Sequence, residues 1–207
     1  MGRPTKAQAQ VWTQELLDTA RALFCERGYA GASLDELVAR LRCSKHSIYR
    51  RFADKEALFA AVIDRDIAGF TRKLAASALP GATPINVLRA MARTYFGFGA
   101  SREHAALYAA ITLEATTSPR LRALARQWAE RALAPLHGAV AAAMPVTDTY
   151  EACEILIDLL DGAANRLRLI EAIPATVEDV FSARWELFIS TPICDHLHLT
   201  DKHAGDG

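Results

Sequence analysis

The segment of residues 33–59 constrains the fold of this chain most, because it carries start signals for three helices in close succession. Ser33 and Glu36 have the spacing of a capping box, in which the first residue caps a helix and the fourth bonds back to it. Ser44 and Asp54 are residue types that cap helices, and each precedes apolar residues at helical spacing. The segment therefore predicts two short helices joined by a tight turn, followed by a sharp entry into a third helix.

The same segment is strongly basic, although the chain as a whole has 24 Lys and Arg against 24 Asp and Glu. Residues 40–55 contain six Lys or Arg and one acid. Residues 1–60 hold ten basic and seven acidic side chains, a net charge of +3, so the rest of the chain carries −3. A basic patch on a neutral chain indicates an element that binds nucleic acid.

The composition of the whole chain favours an all-α fold. Hydrophobic residues make up 51% of the sequence but aromatic residues only 8%, so the chain is rich in Ala and Leu, as helical proteins are. No run shows the sustained alternation of β-branched residues that is typical of a strand. Proline, glycine and capping residues divide the chain into about nine helices. They are predicted at about 12–27, 34–41, 45–52, 55–77, 84–99, 103–115, 119–143, 149–170 and 176–190.

Several classes of protein are excluded by what the sequence lacks. There is no apolar leader and no run of eighteen apolar residues, which predicts a cytoplasmic protein without a membrane partner. The four cysteines are widely spaced and form no C-x-x-C pair, so neither a zinc ribbon nor a disulfide framework is expected. His196 and His198 are a two-ligand fragment of the tail, and we expect no metal and no cofactor. No catalytic motif is present, so no catalytic residue is predicted and the chain is not expected to be an enzyme.

An ordered motif, Ser-Lys-X-Ser-Ile-Tyr-X-X-Phe-X-X-Lys-Glu-X-Leu, begins at Ser44. Together with the two helices before it, this motif gives the segment Leu16–Phe59 its identity: it resembles the DNA-binding domain of the TetR family of bacterial transcriptional regulators. The resemblance covers roughly a fifth of the chain. The matching residues are Leu16, Leu17, Ala20, Leu23, Phe24, Gly28, Tyr29, Ser33, Leu37, Ser44, Lys45, Ser47, Ile48, Tyr49, Phe52, Lys55, Glu56, Leu58 and Phe59.

The resemblance implies which side chains contact double-stranded DNA. In a helix–turn–helix the first residues of the second helix reach base edges, and the family contacts phosphates at the positions of Tyr49 and Lys55. The complete set of implied DNA-binding residues is Ser33, Arg42, Ser44, Lys45, His46, Ser47, Tyr49, Arg50 and Lys55.

Two residues in the turn depart from the family pattern. Arg42 stands where the family usually has glycine, and a positive φ there would cost a side chain on the order of 1 kcal/mol. Cys43 stands where a small apolar residue is usual, and we expect it to be a buried small hydrophobe. We therefore expect the turn to differ in shape, with Arg42 adding a contact to the DNA backbone.

The resemblance also implies a domain organisation and a homodimer. Residues 1–54 are predicted to form the DNA-binding domain, 55–190 an effector-binding and dimerisation domain, and 191–207 a tail. A dimer would bind a palindromic operator, with its two recognition helices about 34–36 Å apart. The dimer interface is predicted on the last two helices, as a four-helix bundle with the partner. Its residues are Leu156, Leu160, Ala163, Ala164, Leu167, Phe181, Trp185 and Phe188.

The helices between residues 84 and 143 carry apolar side chains with a few polar ones near them, which is what a small-molecule site needs. We expect a small apolar or aromatic ligand to bind there, to shift the helix of residues 55–77 and to release a repressor from DNA. The candidate ligand-binding residues are Met91, Tyr95, Phe98, His104, Tyr108, Thr112, Trp128, His137, Asn165 and Arg168. Two alternatives stay open: a redox-responsive regulator that senses through Cys25 or Cys43, and a helical adaptor that no longer binds DNA.

Overall fold

The computed structural model describes residues 5–144, 148–169 and 176–191, and within these ranges it contains nine α-helices and no strand. The predicted all-α fold is confirmed. The predicted tail lies outside the described residues from residue 192 onward. The helices are α1 (Lys6–Gly31), α2 (Leu34–Leu41), α3 (Lys45–Tyr49), α4 (Lys55–Ser77), α5 (Pro84–Ala100), α6 (Arg102–Thr117), α7 (Pro119–Ala143), α8 (Thr149–Leu169) and α9 (Val177–Ile189).

Helix α1 begins six residues before the predicted start, because a capping box precedes it. Thr5 accepts a hydrogen bond from the backbone N–H of Gln8, and the Gln8 side chain accepts one from the Thr5 backbone N–H. This exchange satisfies two of the donors that a helix leaves open at its N-terminus. At the other end, Gly28 has φ 67° and ψ 177°, which interrupts the helical geometry before the chain reaches Ala32.

The chain divides into two compact units, and the division does not follow the predicted boundary. The first unit includes residues up to 68 and residues 103–129, whereas the second includes 69–102 and the residues after 129. Helices α4 and α7 therefore each contribute residues to both units. The predicted domains were divided by their expected functions and not by how the chain packs, so their boundaries stay a prediction.

The first unit has its own hydrophobic core. Helices α1 to α4 supply most of it, and the parts of α6 and α7 that belong to this unit complete it. Phe24, Tyr29 and Phe59 form an aromatic group in which the Phe24 and Phe59 ring centres are 4.9 Å apart. Leu37 and Ile48 are 1% exposed and anchor α2 and α3 to this core. The two short helices are therefore held by tertiary packing, since helices of their length are marginal in isolation.

The second unit is built mainly from α5, α8 and α9, and its core corrects the predicted dimer interface. Seven of the eight predicted interface residues are between 0% and 3% exposed and belong to this core. They are Leu156, Leu160, Ala163, Ala164, Phe181, Trp185 and Phe188. The eighth residue, Leu167, is partly buried against the same core. A side chain that its own chain buries cannot contact a second chain, so the apolar stripes of α8 and α9 are intramolecular.

None of the helices in the described ranges is long and apolar enough to cross a membrane.

Candidate nucleic-acid interface and effector region

Serine hydroxyls fix the starts of α2 and α3. The Oγ atom of Ser33 accepts from the Glu36 N–H at 3.1 Å, and that of Ser44 accepts from the Ser47 N–H at 3.2 Å. Glu36 directs its carboxylate to Arg40, 2.7 Å away, so only the serine half of the predicted capping box is formed. Ser33 and Ser44 thus orient the backbone of the two helices, each with its side-chain oxygen already accepting a bond.

The backbone of the turn between α2 and α3 is left-handed, which is the conformation in which we expected strain at Arg42. Arg42 has φ 50° and ψ 41°, and within the described residues no other non-glycine residue has a positive φ. The N–H of Cys43 reaches back to the carbonyl oxygen of Val38 at 3.2 Å, which closes the end of α2. Arginine at this position costs on the order of 1 kcal/mol relative to glycine. The Arg42 side chain is exposed beside the start of α3.

Helix α3 presents an exposed polar face. Ile48 is buried beneath it, whereas Lys45, His46, Tyr49 and Arg50 are exposed, Tyr49 to 48%. Lys45 lies 2.7 Å from the Asp35 carboxylate, and both side chains are exposed, so water and salt weaken the pair. Two further basic side chains beside this helix, those of Arg42 and Arg50, have no acidic partner within 4.0 Å in the part of the chain that the structure describes.

Lys55, predicted to contact phosphate, instead bonds to the chain's own backbone. Its Nζ atom donates to the carbonyl oxygens of Tyr29 at 2.8 Å, Ala32 at 3.0 Å and Ala30 at 3.5 Å. It also lies 4.4 Å from the centre of the Tyr29 ring. Burial lowers the pKa of the Lys55 ammonium. All three donors of the ammonium face carbonyl groups, so Lys55 fastens α4 to the end of α1 in this structure, and its phosphate contact stays a prediction.

A second basic residue fastens the other end of α1. Arg51 donates from Nη2 to the carbonyl oxygen of Ala9 at 2.9 Å, and its guanidinium lies 5.5 Å from the centre of the Trp12 ring. The sequence shows Arg51 only as one more charge in a basic cluster. Its role depends on α1 starting early enough to bring Ala9 beside α3, which follows from the capping box at Thr5.

The predicted ligand-binding residues are divided between the two compact units. His104, Tyr108, Thr112 and Trp128 belong to the first unit, whereas the other six belong to the second. Tyr108 is 65% exposed and Thr112 is also exposed. Trp128 is buried in the core of the first unit, and its indole N–H donates to Asp64 at 3.0 Å.

His104 belongs to an ionic cluster that joins α1, α4 and α6. Its Nδ1 atom lies 3.4 Å from an Asp66 carboxylate oxygen and 3.2 Å from Nη2 of Arg21. Arg21 in turn donates from Nε to Asp66 at 2.8 Å and from Nη1 to Glu103 at 3.2 Å. Burial raises the pKa of Asp66, but the bonds from His104 and Arg21 outweigh it and hold that pKa below its usual value.

Cys25, a candidate redox sensor, lies beside this cluster. Its thiol donates to the Glu103 carbonyl oxygen at 3.5 Å. Burial raises the pKa of the Cys25 thiol, and the positive charge of Arg21 does not offset it. A raised pKa keeps the sulfur protonated at neutral pH, whereas reactive cysteines have a lowered one. Cys43 is half-buried, as a small hydrophobe would be.

In the second unit the remaining six candidates lie in three places. Met91 is buried in the core. His137 stacks on Tyr150 with ring centres 5.0 Å apart. The other four, Tyr95, Phe98, Asn165 and Arg168, lie along the contact between α5 and α8. There Arg168 donates to the carbonyl oxygen of Gly99 and, at 3.3 Å, to Oδ1 of Asn165.

Asp161 lies at the same contact and was missed by the sequence reasoning. Its Oδ1 atom accepts a hydrogen bond of 2.9 Å from the Tyr95 hydroxyl. Burial raises the pKa of the Asp161 carboxyl. A signal for this residue was present in the helical period, because Ile157 and Ala164, on the same face of α8, are both buried. Within the described residues no group of three or more His, Cys, Asp or Glu side chains could hold a metal ion.

Comparison with known proteins agrees with this arrangement. Residues 16–62 match the family described as bacterial regulatory proteins, tetR family. The HTH-type transcriptional repressor AcnR of Corynebacterium diphtheriae is 38% identical over 66 residues, which cover 32% of this chain and 35% of that protein. The sequence match therefore spans about a third of the length of this relative.

Solved structures extend the likeness to the whole fold. A protein from Mesorhizobium loti described as a TetR-family transcriptional regulator has a TM-score of 0.74 at 22% identity, over 90% of this chain and 98% of that one. The transcriptional regulator FadR from Bacillus subtilis, in complex with stearoyl-CoA, has a TM-score of 0.71 at 16% identity, over 86% and 98%. Identities this low show a common fold and nothing finer.

Proposed function

We propose that the chain belongs to the TetR family of bacterial regulatory proteins, whose model its residues 16–62 match, and that it is a DNA-binding transcriptional regulator without enzymatic activity. It acts in the cytoplasm as a homodimer, represses from a palindromic operator, and is released by a small ligand. The relative from Corynebacterium diphtheriae is a transcriptional repressor, which favours repression over activation.

The observation that carries this proposal is the exposed face of α3. Arg42 and Arg50 are exposed without an acidic partner in the described residues, and the Tyr49 side chain is about half exposed. Phosphate groups would supply the missing negative charge, and most contacts that position a protein on DNA are of this kind. The buried Ile48 and the Ser44 cap hold these side chains on a fixed backbone. Binding therefore costs little backbone conformational entropy.

The homodimer requires an interface other than the predicted one. We assign it to the outward sides of α8 and α9, where half-exposed apolar residues remain after the core is formed. On α9 these include Val180 and Leu187, the latter 51% exposed, and on α8 they include Ile155 and Leu159. Each of these residues is next in sequence to a predicted one. Successive side chains are about 100° apart around a helix axis, so the two sets face different sides of the helix.

Effector control is proposed from the organisation of α4. This helix begins beside α3 and continues into the second unit, so a ligand bound in the second unit can act on it. The FadR structure contains stearoyl-CoA, a ligand with a long apolar chain, in keeping with the apolar or aromatic effector predicted here. A ligand shifts such an equilibrium only by its difference in affinity for the two states.

The redox and adaptor alternatives are less well supported. The raised pKa of the Cys25 thiol opposes oxidant sensing through that residue. An adaptor that has lost DNA binding would have no need for exposed, unpaired arginines beside α3. The regulator is therefore the function that the geometry supports best.

In vitro selection from random DNA duplexes with the purified full-length protein tests this function. The expected result is enrichment of an inverted repeat, with half-site centres about one helical turn or a multiple of it apart. A parallel selection with Arg50→Ala is expected to enrich poorly, whereas Arg89→Ala, an exposed arginine on α5, should behave as the wild type does. No enrichment by the folded wild-type protein would reject DNA binding.

A further inference from the structure

Lys45 and Asp35 form an ion pair between the first turns of α2 and α3. The Lys45 ammonium nitrogen lies 2.7 Å from Oδ1 of Asp35, and this hydrogen bond raises the pKa of Lys45. Asp35 is the second residue of α2, and Lys45 is the first residue of α3. Arg42 and Arg50 have no acidic partner within 4.0 Å among the described residues, so Lys45 differs from them in having its charge already matched.

The pair is not needed to hold the two helices together. Its side chains are 51% and 75% exposed, so water screens their attraction and the pair adds little to the stability of the fold. Leu37 and Ile48, each 1% exposed, already anchor α2 and α3 to the core of the first unit. The main consequence of the pair is therefore electrostatic, because it removes one positive charge from the exposed face of α3.

The pair lies where DNA is expected to bind. In a helix–turn–helix the first helix crosses the DNA backbone, and the first residues of the second helix reach base edges. Asp35 belongs to the first of these helices and Lys45 begins the second, and the two side chains bond to each other. A carboxylate at this face takes up an ammonium that phosphate groups would otherwise attract.

We propose that Asp35 is a specificity-determining residue that acts through Lys45. This inference rests on the proposed DNA binding. On an arbitrary sequence, binding depends almost entirely on phosphate contacts, and Asp35 weakens it by competing with phosphate for the Lys45 ammonium.

On the operator the same pair positions Lys45. An ammonium has three donors, so Lys45 keeps one on Asp35 and directs another to an acceptor on a base edge, such as O6 or N7 of guanine. Asp35 therefore aims Lys45 at the bases of the operator and withholds it from the phosphates of other DNA.

Fluorescence anisotropy with the full-length protein tests this role. The wild type and Asp35→Asn are each titrated with two duplexes of equal length, the one obtained by selection and a scrambled sequence of the same composition. Asp35→Asn keeps the size of the side chain but removes its charge, and it is expected to bind the scrambled duplex about three- to tenfold more tightly than the wild type does. Its affinity for the selected duplex should change by less than about twofold, because the gain in charge is offset by the loss of positioning. An unchanged ratio of the two affinities overturns the proposal.

The salt dependence gives a readout that a purely structural role would not move. In Asp35→Asn the freed Lys45 adds a phosphate contact on the scrambled duplex, so the slope of log K against log salt should steepen by about 1 for each recognition helix. The slope on the selected duplex should stay the same. If the slope on the scrambled duplex does not steepen, Asp35 does not withhold Lys45 from phosphate.

Asp18 provides a matched control. Its side chain is 71% exposed, and its Oδ1 atom lies 2.9 Å from Nη1 of Arg65, so it is also an exposed acid paired across two helices, here α1 and α4. Asp18→Asn makes the same change in net charge on helices other than α2 and α3, and it should leave the ratio of affinities as it is in the wild type. Equal effects of Asp18→Asn and Asp35→Asn would show that net charge is responsible and would overturn the proposal.

A second background shows whether Asp35 acts through Lys45. The Lys45→Met protein has no ammonium to withhold, so adding Asp35→Asn to it should change the affinity for the scrambled duplex by less than about twofold. A change as large as in the wild-type background would mean that Asp35 repels phosphate directly, which contradicts the proposal. Each of these variants changes an exposed side chain, so all of them are expected to fold.

The same titrations separate this inference from the proposed function. If the wild type prefers the selected duplex and Asp35→Asn prefers it equally, the regulator stands and the role of Asp35 is rejected. If the wild type binds neither duplex, the regulator is rejected, and this inference with it.

Discussion

The ammonium nitrogen of Lys55 lies 2.8 Å from the carbonyl oxygen of Tyr29 and 4.4 Å from the centre of the same residue's ring. This contact joins the first residue of α4 to the end of α1. The carbonyl groups that Lys55 binds are those that a helix end leaves without partners. Its position in a DNA-binding motif therefore reflects how the motif is held together.

We expect Lys55→Met to destabilise the protein by about 1.5–3 kcal/mol, because it removes charge-assisted hydrogen bonds and leaves part-buried carbonyls unsatisfied. Equilibrium urea unfolding measures this loss. Lys45→Met is the control: Lys45 is exposed and its pair with Asp35 is exposed too, so it should cost less than about 1 kcal/mol. Equal losses in the two variants would mean that Lys55 does not fasten α1 to α4.

The left-handed conformation of Arg42 gives a second prediction. Arg42→Gly should stabilise the protein by about 0.5–1 kcal/mol through relief of backbone strain, even after allowing for the greater freedom of glycine in the unfolded chain. Arg42→Ala removes the same charge but keeps the strain, so the difference between the two variants isolates the backbone effect. Urea midpoints that are the same for Gly and Ala would show that the turn is not strained.

The revised dimer interface gives a third prediction. Leu187→Glu places a charge on the outward side of α9 and should convert the dimer to monomers, because burying an unpaired carboxylate in an interface is costly. Sedimentation velocity distinguishes the two species. Leu79→Glu makes the same change at a leucine that is 68% exposed between α4 and α5, and this protein should remain dimeric. A dimeric Leu187→Glu protein would exclude this face.

Asp161 predicts a dependence of stability on pH. Its pKa in the folded protein is raised by burial, whereas in the unfolded chain it is about 3.9. Its contribution to stability is therefore complete below about pH 4 and is lost as the pH rises through the raised pKa. Asp161→Asn, which does not titrate, should melt at the same temperature as the wild type near pH 4 and about 2–4 °C higher at pH 7.5.

Differential scanning calorimetry at several pH values measures this difference. Asp158→Asn should show no comparable rise, because Asp158 is exposed. If the Asp161→Asn and wild-type melting temperatures stay equal up to pH 7.5, the carboxylate is not penalised by burial.

Local signals in the sequence were sufficient to predict the fold. They did not predict which groups the individual side chains contact. The caps at Ser33 and Ser44 and the start of α4 follow from neighbouring residues, and the structure has them where they were expected. The hydrogen bonds of Lys55 were not predicted, because its acceptors are backbone carbonyls 23 to 26 residues earlier. Only the folded chain brings such groups together.

The predicted dimer interface was misplaced for a related reason. An apolar stripe on a helix shows that one side is buried, but not whether the chain or its partner covers that side. Helices α8 and α9 have both kinds of surface, with Phe188 fully buried and the adjacent Leu187 half exposed. Asp161 was missed because an acid among apolar residues is expected to face solvent, unless its place in the helical period is checked.

The central claim is that the exposed face of α3 binds the DNA backbone, and the salt dependence of binding tests it most directly. Association constants of the wild type, Arg50→Ala and Arg72→Ala for the selected duplex are measured by fluorescence anisotropy over a range of salt concentrations. If Arg50 contacts phosphate, its loss should weaken binding and reduce the slope of log K against log salt by about 1. Arg72, exposed on the part of α4 in the second unit, should leave the slope unchanged. Equal slopes for all three proteins would contradict the account.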